Sequence, residues 1–353
     1  MPIEPHLNAV GTATPAHDIH AAFVDWARAR VAPEQQRVFD RMAARSGIAH
    51  RWSVLPDTGS PVAPSGFYGV DPLPGTAARM ALYAEAAPAL ALDAVATLRA
   101  QVPLGTITHL VVASCTGFVA PGIDQIIARE LGLAGSVERT LIGFMGCYAA
   151  VAALRTARHI VRSEPDARVL VVTVELSTLH LQPATELEPL LAMLQFGDGA
   201  AAALVSAEPG GLVLGQPFAA TLPASEALIR WDITDAGFAM HLSGEVPGRI
   251  AAALGDAATR AAITGGAPPD TVDTWAVHAG GRSILDAVAG ALALPAEALA
   301  HSRAVLEQDG NMSSATLMFV LARVLAGERV ERGVALAFGP GLAAEGFAFR
   351  SAA

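Results

Sequence analysis

Five short runs of almost uninterrupted Val, Leu, Ile and Ala predict buried β-strands. These runs are Thr108–Ser114, Arg168–Glu175, Ala200–Ser206, Thr274–His278 and Gly333–Phe338. The stretches between them carry apolar residues at helical spacing and predict helices at Ala77–Ala100, Ile123–Leu131, Ala149–Arg162, Ile284–Leu294 and Ala315–Ala326. Strands without a polar face that alternate with helices are typical of sheets covered by helices on both sides. The pattern therefore predicts an α/β fold.

The order of these elements repeats once along the chain. Each half has a strand, a helix and a later glycine-rich strand end, and F-G-D-G at Phe196–Gly199 corresponds to F-G-P-G at Phe338–Gly341. A repeat of this length predicts a duplicated α/β half rather than a solenoid unit. The turn-forming residues of Glu208–Pro223 mark the seam, so we expect the halves to span residues 1–210 and 211–353.

Composition narrows the range of partners. The chain of 353 residues is 52% hydrophobic and 16% charged, which excludes intrinsic disorder. Its net charge is −10, and every one of its 23 basic residues is an arginine. We therefore expect no binding of nucleic acid, and an anionic substrate would need a local cluster of arginines.

Cysteine content and hydropathy bear on the compartment. Two cysteines do not make a disulfide framework, and the chain has no C-x-x-C pair, so we expect a reducing environment. Residues 1–10 lack the basic and apolar regions of a signal peptide, and no uncharged apolar run reaches about 18 residues. These features predict a cytoplasmic protein without stable membrane insertion. The histidines lack metal-ligand spacing, so no metal site is expected.

Three residues could carry out chemistry together. Cys147 follows a glycine at the start of a predicted helix, where the helix dipole stabilises a thiolate. His278 ends a strand before two glycines, and Asn311 precedes a helix. Taken singly, each has a structural explanation: a small buried hydrophobic residue, a core histidine and a helix N-cap. Taken together, they indicate thiolate catalysis with donors directed at a developing oxyanion.

One class of enzyme with such a set is the papain-like proteases. In those enzymes the histidine follows the cysteine by about 130–150 residues, and His278 follows Cys147 by 278 − 147 = 131 residues. The local protease signature is absent, because residue 144 is Phe and 146 residues precede the cysteine. The protease therefore stays an outside alternative.

Seven motifs, in order from about residue 10 to residue 350, resemble the type III polyketide synthases of the chalcone synthase family. They are G-C-Y-A-A around Cys147, H-A-G-G-R-S-I-L-D-A-V from His278, G-N-M-S-S-A from Gly310, F-G-P-G-L from Phe338, F-G-D-G-A-A-A from Phe196, P-G-I-D from Pro121 and R-S-G-I from Arg45. The resemblance implies a thiolase fold, with duplicated αβαβα layered halves and mixed sheets. It also implies a homodimer that uses acyl-CoA and malonyl-CoA as substrates and needs no cofactor.

The resemblance also implies roles for individual residues. Cys147 would accept the starter acyl group, and His278 and Asn311 would bind the malonyl thioester carbonyl and stabilise the enolate formed by decarboxylation. Phe196 would be the gatekeeper between the CoA tunnel and the cavity. Residues matching CoA-binding positions are Arg41, Arg45, Gly280, Gly281 and Ser283, with Arg37 and Arg51 close by in sequence. An imidazolium beside the sulfur would lower the pKa of Cys147, so we expect an ionised thiol.

A further set of residues would line the elongation cavity: Cys115, Thr116, Ser177, His180, Trp231, Phe238, Met240 and Ser313. Three of them depart from plant chalcone synthases, because Trp231 replaces a glycine, His180 a threonine and Met240 a phenylalanine. The segment from Trp231 to Leu242 resembles bacterial alkylpyrone and alkylresorcinol synthases, which start from fatty acyl-CoA. Cys115 is expected to be a lining or packing thiol rather than a second nucleophile. His241, Met193 and Met318 are expected to be core residues.

The sequence thus predicts an acyltransferase that adds malonyl-CoA units to an acyl group on Cys147 by repeated decarboxylative Claisen condensation. Cyclisation would give an alkylpyrone or a resorcinol-type product. The principal alternative is a ketoacyl synthase III-type enzyme of fatty-acid initiation, from which F-G-P-G and the gatekeeper Phe196 distinguish the chain. A non-catalytic thiolase-like binding protein is disfavoured by the intact Cys, His and Asn.

Overall fold

The computed structural model of the chain describes residues 3–55 and 60–353. Its strands are β1 His6–Ala13, β2 His17–Asp18, β3 Trp52–Ser53, β4 His109–Ala113, β5 Glu138–Ile142, β6 Val169–Leu176, β7 Asp198–Ser206, β8 Leu212–Thr221, β9 Ile229–Thr234, β10 Gly237–Leu242, β11 Thr274–Val277, β12 Gly333–Gly339 and β13 Ala343–Ser351. Its α-helices are α1 His20–Arg28, α2 Gln36–Ala44, α3 Thr76–Arg99, α4 Ile123–Glu130, α5 Ala149–Ser163, α6 Leu187–Met193, α7 Val246–Gly255, α8 Ala257–Thr264, α9 Arg282–Ala291, α10 Ala300–Asp309 and α11 Ser314–Leu325. Short 3₁₀ turns cover Pro33–Gln35, Gly146–Tyr148, Ser177–His180, Pro269–Thr271 and Pro340–Leu342.

The five predicted strands and five predicted helices are confirmed. They correspond to β4, β6, β7, β11 and β12, and to α3, α4, α5, α9 and α11. The pattern missed elements that are amphipathic or interrupted. β8, for example, contains Gly215 and Pro217 within a ten-residue strand, and β9 alternates charged and apolar residues on an exposed hairpin with β10.

The strand pairings show the duplication. The main sheet has the order β11-β12-β13-β8-β1-β7-β6-β4-β5. In the first half β4 pairs parallel with β6, β6 antiparallel with β7, and β7 antiparallel with β1. In the second half β11, β12, β13 and β8 repeat the same three pairings in the same order. The halves join where His6 and Leu7 of β1 pair with Val213 and Leu212 of β8.

Alternate residues of the central strands enter different cores. Val169 and Val171 of β6 belong to the cluster that contains α5 and α11, whereas Leu170 and Val172 belong to the cluster that contains α3. Both faces of such a strand are buried, which explains why its sequence is apolar without interruption.

The second half is layered in the same way. Ala335 and Ala337 of β12 face the cluster of α5 and α11, and Val334 and Leu336 face the cluster of α7 and α9. The helices α5 and α11 contact each other between the two halves of the sheet. The predicted α/β fold with αβαβα layers is therefore confirmed.

One detail of the predicted seam is wrong. Residues 212–221 form β8, which pairs with β13 along most of its length, so the connection between the halves ends at Gly211. The Gly and Pro residues in this stretch suggested a loop, but sheet pairing overrides that local preference. The limits of the halves at residues 1–210 and 211–353 stay a prediction.

The 24-residue helix α3 is long and apolar enough to span a membrane by length and composition. It instead packs on β1, β6 and β7, and it buries Tyr83, Ala87 and Leu98 in a core cluster. Its Arg79 is fully buried and donates to the carbonyls of Leu179 and Leu181. We therefore interpret α3 as a core helix of the fold.

Candidate active site

Cys147 lies at the turn that enters α5. Gly146 has φ +64°, and a Cβ atom there would lie 2.5 Å from Cδ of Pro340, so this position requires glycine for both conformation and space. The residues Gly146–Tyr148 form a 3₁₀ turn, and α5 begins at Ala149. The predicted placement of the sulfur at a helix entrance is confirmed.

Asn311 occupies the corresponding place in the second half, between α10 and α11. Its side-chain Nδ2 donates to the carbonyl of Gly280 (3.1 Å), and its Oδ1 accepts from the backbone N–H of Ser313 (2.9 Å). These two bonds fix the orientation of the amide. Asn311 is not a helix N-cap, because α11 begins three residues later at Ser314.

His278 follows β11, and its backbone N–H donates to the carbonyl of Leu336 on β12. The side chain is 2% exposed, and neither Nδ1 nor Nε2 has a hydrogen-bond partner within the described residues. A buried polar atom without a partner is destabilising, so such atoms in native proteins commonly serve a ligand. The free energy lost here can be recovered when a substrate oxygen accepts from the ring.

Cys147, His278 and Asn311 line one cavity between the two halves. The Sγ of Cys147 lies 3.9 Å from Oγ of Ser313, and the backbone N–H of Ser313 donates to the Asn311 side chain. The duplication explains this meeting, since the loop before α5 and the loop before α11 lie at equivalent ends of two contacting helices. The cavity walls are mostly apolar. Because apolar surroundings lower the local dielectric constant, electrostatic interactions inside the cavity are stronger than in water.

The predicted ionised thiol is wrong for the unliganded protein. Burial raises the pKa of Cys147 to about 12, and the neighbouring Glu175 adds to this rise against hydrogen bonds from Ser313 and Asn311. Burial also lowers the pKa of His278 to about 3. Both groups are therefore neutral at pH 7, because desolvation outweighs the helix entrance and no imidazolium is present to stabilise a thiolate.

Phe196 lies beside the loop between α10 and α11, which carries Asn311. Asn311 and Phe196 form an isolated parallel bridge, in which the N–H of Asn311 donates to the carbonyl of Gln195 and the N–H of Gly197 donates to the carbonyl of Asn311. The phenyl side chain lines the same cavity as Cys147. A backbone link therefore couples the position of Phe196 to that of Asn311.

The predicted wall residues all line this cavity: Cys115, Thr116, Ser177, His180, Trp231, Phe238, Met240 and Ser313. Two of the departures from the plant pattern stack on the same ring, with His180 4.2 Å and Trp231 5.4 Å from Phe238 between centroids. His180 is neutral, since burial lowers its pKa to about 4. Its Nε2 donates to the carbonyl of Thr116 and its Nδ1 accepts from the N–H of Phe238. This aromatic stack forms a rigid wall.

Comparison with known proteins identifies the family. Residues 4–209 match the model of the N-terminal domain of chalcone and stilbene synthases, and residues 215–353 match the model of the C-terminal domain. The chain belongs to the chalcone and stilbene synthase family. It is a type III polyketide synthase, an acyltransferase that depends on malonyl-CoA.

Individual relatives agree with this assignment. The chain is 36% identical to the alpha-pyrone synthesis polyketide synthase-like Pks18 of Mycobacterium tuberculosis over 284 residues, which cover 77% of this chain and 72% of that protein. The crystal structure of a polyketide synthase, PKS-I, from the brown alga Ectocarpus siliculosus superposes with a TM-score of 0.87 at 29% identity, covering 99% of each chain. The C-terminal type III polyketide synthase domain of Steely1 from Dictyostelium gives 0.90 at 25% identity, covering 99% of this chain and 100% of that one.

Glu175, a residue that the sequence motifs did not indicate, lies close enough to Cys147 to raise the pKa of its thiol. It is fully buried at the end of β6 and accepts from the N–H of Cys115 (3.0 Å) and from the hydroxyls of Thr116 (2.8 Å) and Ser314. Burial raises its pKa to about 7, against these hydrogen bonds. The signal for it was present in the sequence: a single acid closing an otherwise apolar strand.

Cys115 is held in the same region. Its Sγ accepts from the N–H of Gly146 at 3.0 Å, and burial together with Glu175 raises its pKa well above the usual range. A neutral, hydrogen-bonded thiol at this position fits the prediction that Cys115 lines and packs the cavity.

Arg51 is a second residue whose importance the sequence did not reveal. The side chain is 1% exposed, and its Nη1 donates to the carbonyls of Phe196 (2.8 Å) and Met193 (3.3 Å). Its Nε donates to Nδ1 of His20 (3.0 Å). Arg51 therefore anchors the gatekeeper segment to the N-terminal region.

A surface pocket near this segment contains some of the predicted CoA-binding residues. Arg45 and Ser283 line it together with Arg282, and the Nη1 of Arg282 lies 3.5 Å from the carbonyl oxygen of Arg45. Arg41 is exposed on α2 and does not line this pocket. We call this pocket the arginine mouth, defined by Arg45, Arg282 and Ser283.

The remaining predicted positions divide between cavity and core. Gly280 lines the catalytic cavity, and Gly281 abuts the side chain of Gln195, which lines the arginine mouth. Met318 is buried and Met193 packs against a core cluster, as predicted, although Met193 also lines the cavity; His241 is exposed on β10, so its predicted core position is wrong. The apolar neighbours of His241 suggested a core position, but the alternation of β10 directs this side chain to solvent.

Within residues 3–55 and 60–353, no group of three or more His, Cys, Asp or Glu side chains could hold a metal ion. The family to which the chain belongs uses CoA thioesters as substrates. The titratable side chains that line the cavity are those already described: Arg51, Cys115, Cys147, His180 and His278.

Proposed function

We propose that this type III polyketide synthase extends a fatty acyl-CoA starter with malonyl-CoA and cyclises the product to an alkylpyrone or a resorcinol-type ring. The observation that carries the proposal is the shared cavity of Cys147, His278 and Asn311. The name of the mycobacterial relative, which refers to alpha-pyrone synthesis, supports the pyrone among the two products. We further propose that the chain needs no cofactor and acts in the cytoplasm.

In the loading step Cys147 attacks the starter thioester. The thiol is neutral at rest, so its proton passes to His278 as the C–S bond forms, and the imidazolium returns it to the departing CoA thiolate. The depressed pKa of His278 favours this return. The acyl group is then held on the sulfur within the cavity.

In the extension step the malonyl thioester carbonyl accepts hydrogen bonds from His278 and Asn311. Loss of carbon dioxide leaves an enolate, whose oxygen these neutral donors stabilise without protonating its carbon. The enolate carbon then forms a bond to the acyl carbon on Cys147, the C–S bond breaks, and the departing thiolate takes up a proton from water to restore the thiol. The bare ring nitrogens of His278 support this role, because they have no competing partner in the described part of the chain.

We propose that the arginine mouth binds the phosphates of CoA. Forked guanidinium groups suit phosphate oxygens, and Arg45 and Arg282 come from two different elements at one opening. Arg282 adds to the predicted set, whereas the position of Arg41 outside the pocket leaves its predicted role without geometric support.

We also propose that the chain acts as a homodimer through β5. This strand is an edge of the main sheet, and among the residues that the structure describes its backbone pairs with β4 alone. Apolar side chains near it are exposed: Leu141 by 48%, Phe118 by 49% and Phe144 by 58%. A second copy related by twofold symmetry would cover both the unpaired edge and these side chains.

Incubation with radiolabelled malonyl-CoA and acetyl-, octanoyl- or palmitoyl-CoA tests the proposed function, with the products identified by mass. We expect products that carry two or more added ketide units and a preference for long starters. Cys147→Ala should form no extended product but should still release carbon dioxide, and Cys115→Ala should still be acylated. Chain extension by Cys147→Ala, or no use of malonyl-CoA by the unaltered enzyme, would contradict the proposal.

A further inference from the structure

A third pocket, which shares no lining residue with the catalytic cavity or the arginine mouth, is lined by four arginines: Arg158, Arg162, Arg332 and Arg350. It lies where the C-terminal end of α5 meets the start of β8, the start of β12 and the end of β13. The protein carries a net charge of −10, so four arginines at one opening depart strongly from the average surface. We call this opening the α5 pocket.

Arg158 is the deepest of these groups. Its side chain belongs to a residue that is 8% exposed, and its Nε donates to the carbonyl of Leu214 (3.1 Å). The guanidinium therefore lies at a fixed position, and the bond to Leu214 occupies Nε and leaves the two Nη atoms as donors. Burial of an arginine without an anionic partner costs free energy, and an anion bound to its two Nη atoms would reduce this cost.

The charges of the α5 pocket are incompletely neutralised. Arg350 pairs with Glu4 (2.7 Å), and Glu331, which also lines the pocket, pairs with Arg329 (2.9 Å). Within the described residues, Arg158, Arg162 and Arg332 have no carboxylate partner, although Arg332 donates to Oγ1 of Thr271.

The local potential is felt by neighbouring groups. Burial and the charge of Arg162 lower the pKa of Arg158, and burial together with Arg158, Arg155 and Arg162 lowers the pKa of His159 on the same helix. Arg155 itself pairs with Glu345 at 2.8 Å. An anion that entered the pocket would relieve the repulsion between Arg158 and Arg162, which lie one helical turn apart.

We propose that the α5 pocket is a binding site for a phosphoryl group, from inorganic phosphate or from a phosphate ester such as a nucleotide. Three guanidiniums without a carboxylate partner in the described residues, two on α5 and one directly before β12, can surround a phosphate and donate to several of its oxygens. A carboxylate has only two oxygens and would engage fewer of these donors. The bound group would join α5, which begins after Cys147, to the second half of the molecule. This inference does not depend on the proposed function, because the α5 pocket shares no lining residue with the catalytic cavity.

The melting temperature of the full-length protein tests the proposal, measured in potassium phosphate against potassium chloride at equal ionic strength. We expect phosphate to raise the Tm by about 2 °C when its concentration is about ten times the dissociation constant, with saturation at one site. Arg162→Gln combined with Arg332→Gln should remove this rise. The pair leaves Arg158 and its bond to Leu214 in place, so loss of the phosphate effect can be separated from unfolding by the Tm in chloride.

Two controls locate the effect. Arg129→Gln changes an exposed arginine that pairs with Glu130 on α4, and it should keep the full phosphate shift. Arg45→Gln with Arg282→Gln removes the arginine mouth and should also keep it. A parallel series with AMP identifies the source, since a larger shift than with phosphate indicates a nucleotide and an equal shift indicates phosphate itself.

The proposal is overturned by either of two results. One is a Tm that responds equally to phosphate and chloride in the unaltered protein. The other is a phosphate shift that survives Arg162→Gln with Arg332→Gln but disappears when the arginine mouth is removed, because the phosphate would then bind at the mouth.

Discussion

Burial, more than neighbouring charges, decides the protonation states of the side chains in this cavity. His278 and Cys147 are both neutral because the apolar walls disfavour their charged forms. Asn311 is neutral by nature and is held by Gly280 and Ser313. We therefore expect the site to stabilise negative charge with fixed dipoles, which cost no reorganisation when the charge develops.

The first prediction concerns Asn311. Asn311→Ala removes one donor to the enolate oxygen, so we expect decarboxylation of malonyl-CoA to fall about 100-fold. Carbon dioxide release from malonyl-CoA alone measures this. Asn8→Ala, which alters a hydrogen-bonded asparagine on β1 far along the chain, is the control and should retain the rate. Release unchanged in Asn311→Ala would remove this residue from the mechanism.

The second prediction concerns Glu175, whose pKa is raised to about 7 by burial against an ordinary value of 4.5. The folded protein holds this proton more tightly than the unfolded chain, so stability is lost as the pH rises from about 4.5 through 7. Glu175→Gln does not titrate. We expect the free energy of unfolding of the unaltered protein to fall relative to the variant by roughly 2 to 3 kcal/mol between about pH 5 and pH 8.

Denaturant titrations of both proteins at several pH values measure this difference. The absolute stability of Glu175→Gln is not the readout, because its hydrogen bonds to Thr116 and Ser314 also change. Parallel pH profiles for the two proteins would show that Glu175 titrates normally, and the account of a buried acid behind the nucleophile would then be wrong.

At the scale of elements, the hairpin of β9 and β10 shapes the cavity. Trp231 lies opposite Met240 in its register, and both line the cavity, whereas His241 lies opposite Arg230 and is exposed. Because side chains alternate along each strand of the hairpin, Trp231 and Met240 face the cavity and neighbours such as His241 face solvent. We therefore expect this hairpin to influence the size of the product.

The third prediction follows from that alternation. Trp231→Gly removes the indole that stacks on Phe238, so the cavity widens and we expect longer products or a wider range of starters. Products from palmitoyl- and octanoyl-CoA, separated by mass, provide the measurement. His241→Ala on the solvent face of the hairpin should leave the product profile unchanged, and identical profiles in both variants would reduce Trp231 to a packing residue.

The fourth prediction concerns Arg282, at the start of α9, and its effect on the binding of CoA thioesters. Arg282→Met should raise the KM for malonyl-CoA by about 5- to 10-fold and leave kcat nearly unchanged, since a charge-assisted bond to phosphate would be lost. The N-acetylcysteamine thioester of malonate lacks the nucleotide, so its kinetics should not change. Arg282 pairs with Asp286 (3.6 Å). Arg303→Met, which also loses an ion pair with Asp286 but lies outside the arginine mouth, is the control. An equal loss with both thioesters would contradict a phosphate contact.

At the scale of the whole molecule, duplication explains how the site is assembled. The cysteine and the asparagine precede equivalent helices, α5 and α11, that contact each other in the middle layer. Neither half contains all three candidate catalytic residues, because Cys147 belongs to the first half and His278 and Asn311 belong to the second. The pairing of β1 with β8 keeps the two halves in register.

The fifth prediction concerns assembly. Leu141→Arg places like charges at the proposed twofold contact of β5, so we expect the dimer to dissociate to a monomer. Light scattering coupled to size-exclusion chromatography measures the mass. Val70→Arg, which alters another exposed apolar residue outside β5, should remain a dimer. A dimer in both variants would show that β5 is not the contact.

The sequence by itself determined the α/β class, the buried strands and the three candidate catalytic residues. Strands buried on both faces, such as β6, have no polar alternation, and a glycine directly before Cys147 and an Ala-rich helical pattern indicates a turn that enters a helix. The amphipathic hairpin of β9 and β10 could not be found in this way, since its short alternating segments gain their structure from pairing.

The tertiary structure alone decided the charge states and the supporting contacts. Ionisation depends on how much water and which neighbours surround a group, and these come from residues far apart in the chain. Helix position predicted a thiolate at Cys147, but the walls contributed by both halves make the thiol neutral. For the same reason the roles of Glu175 and Arg51, and the unpaired arginines of the α5 pocket, became visible only once distant segments were brought together.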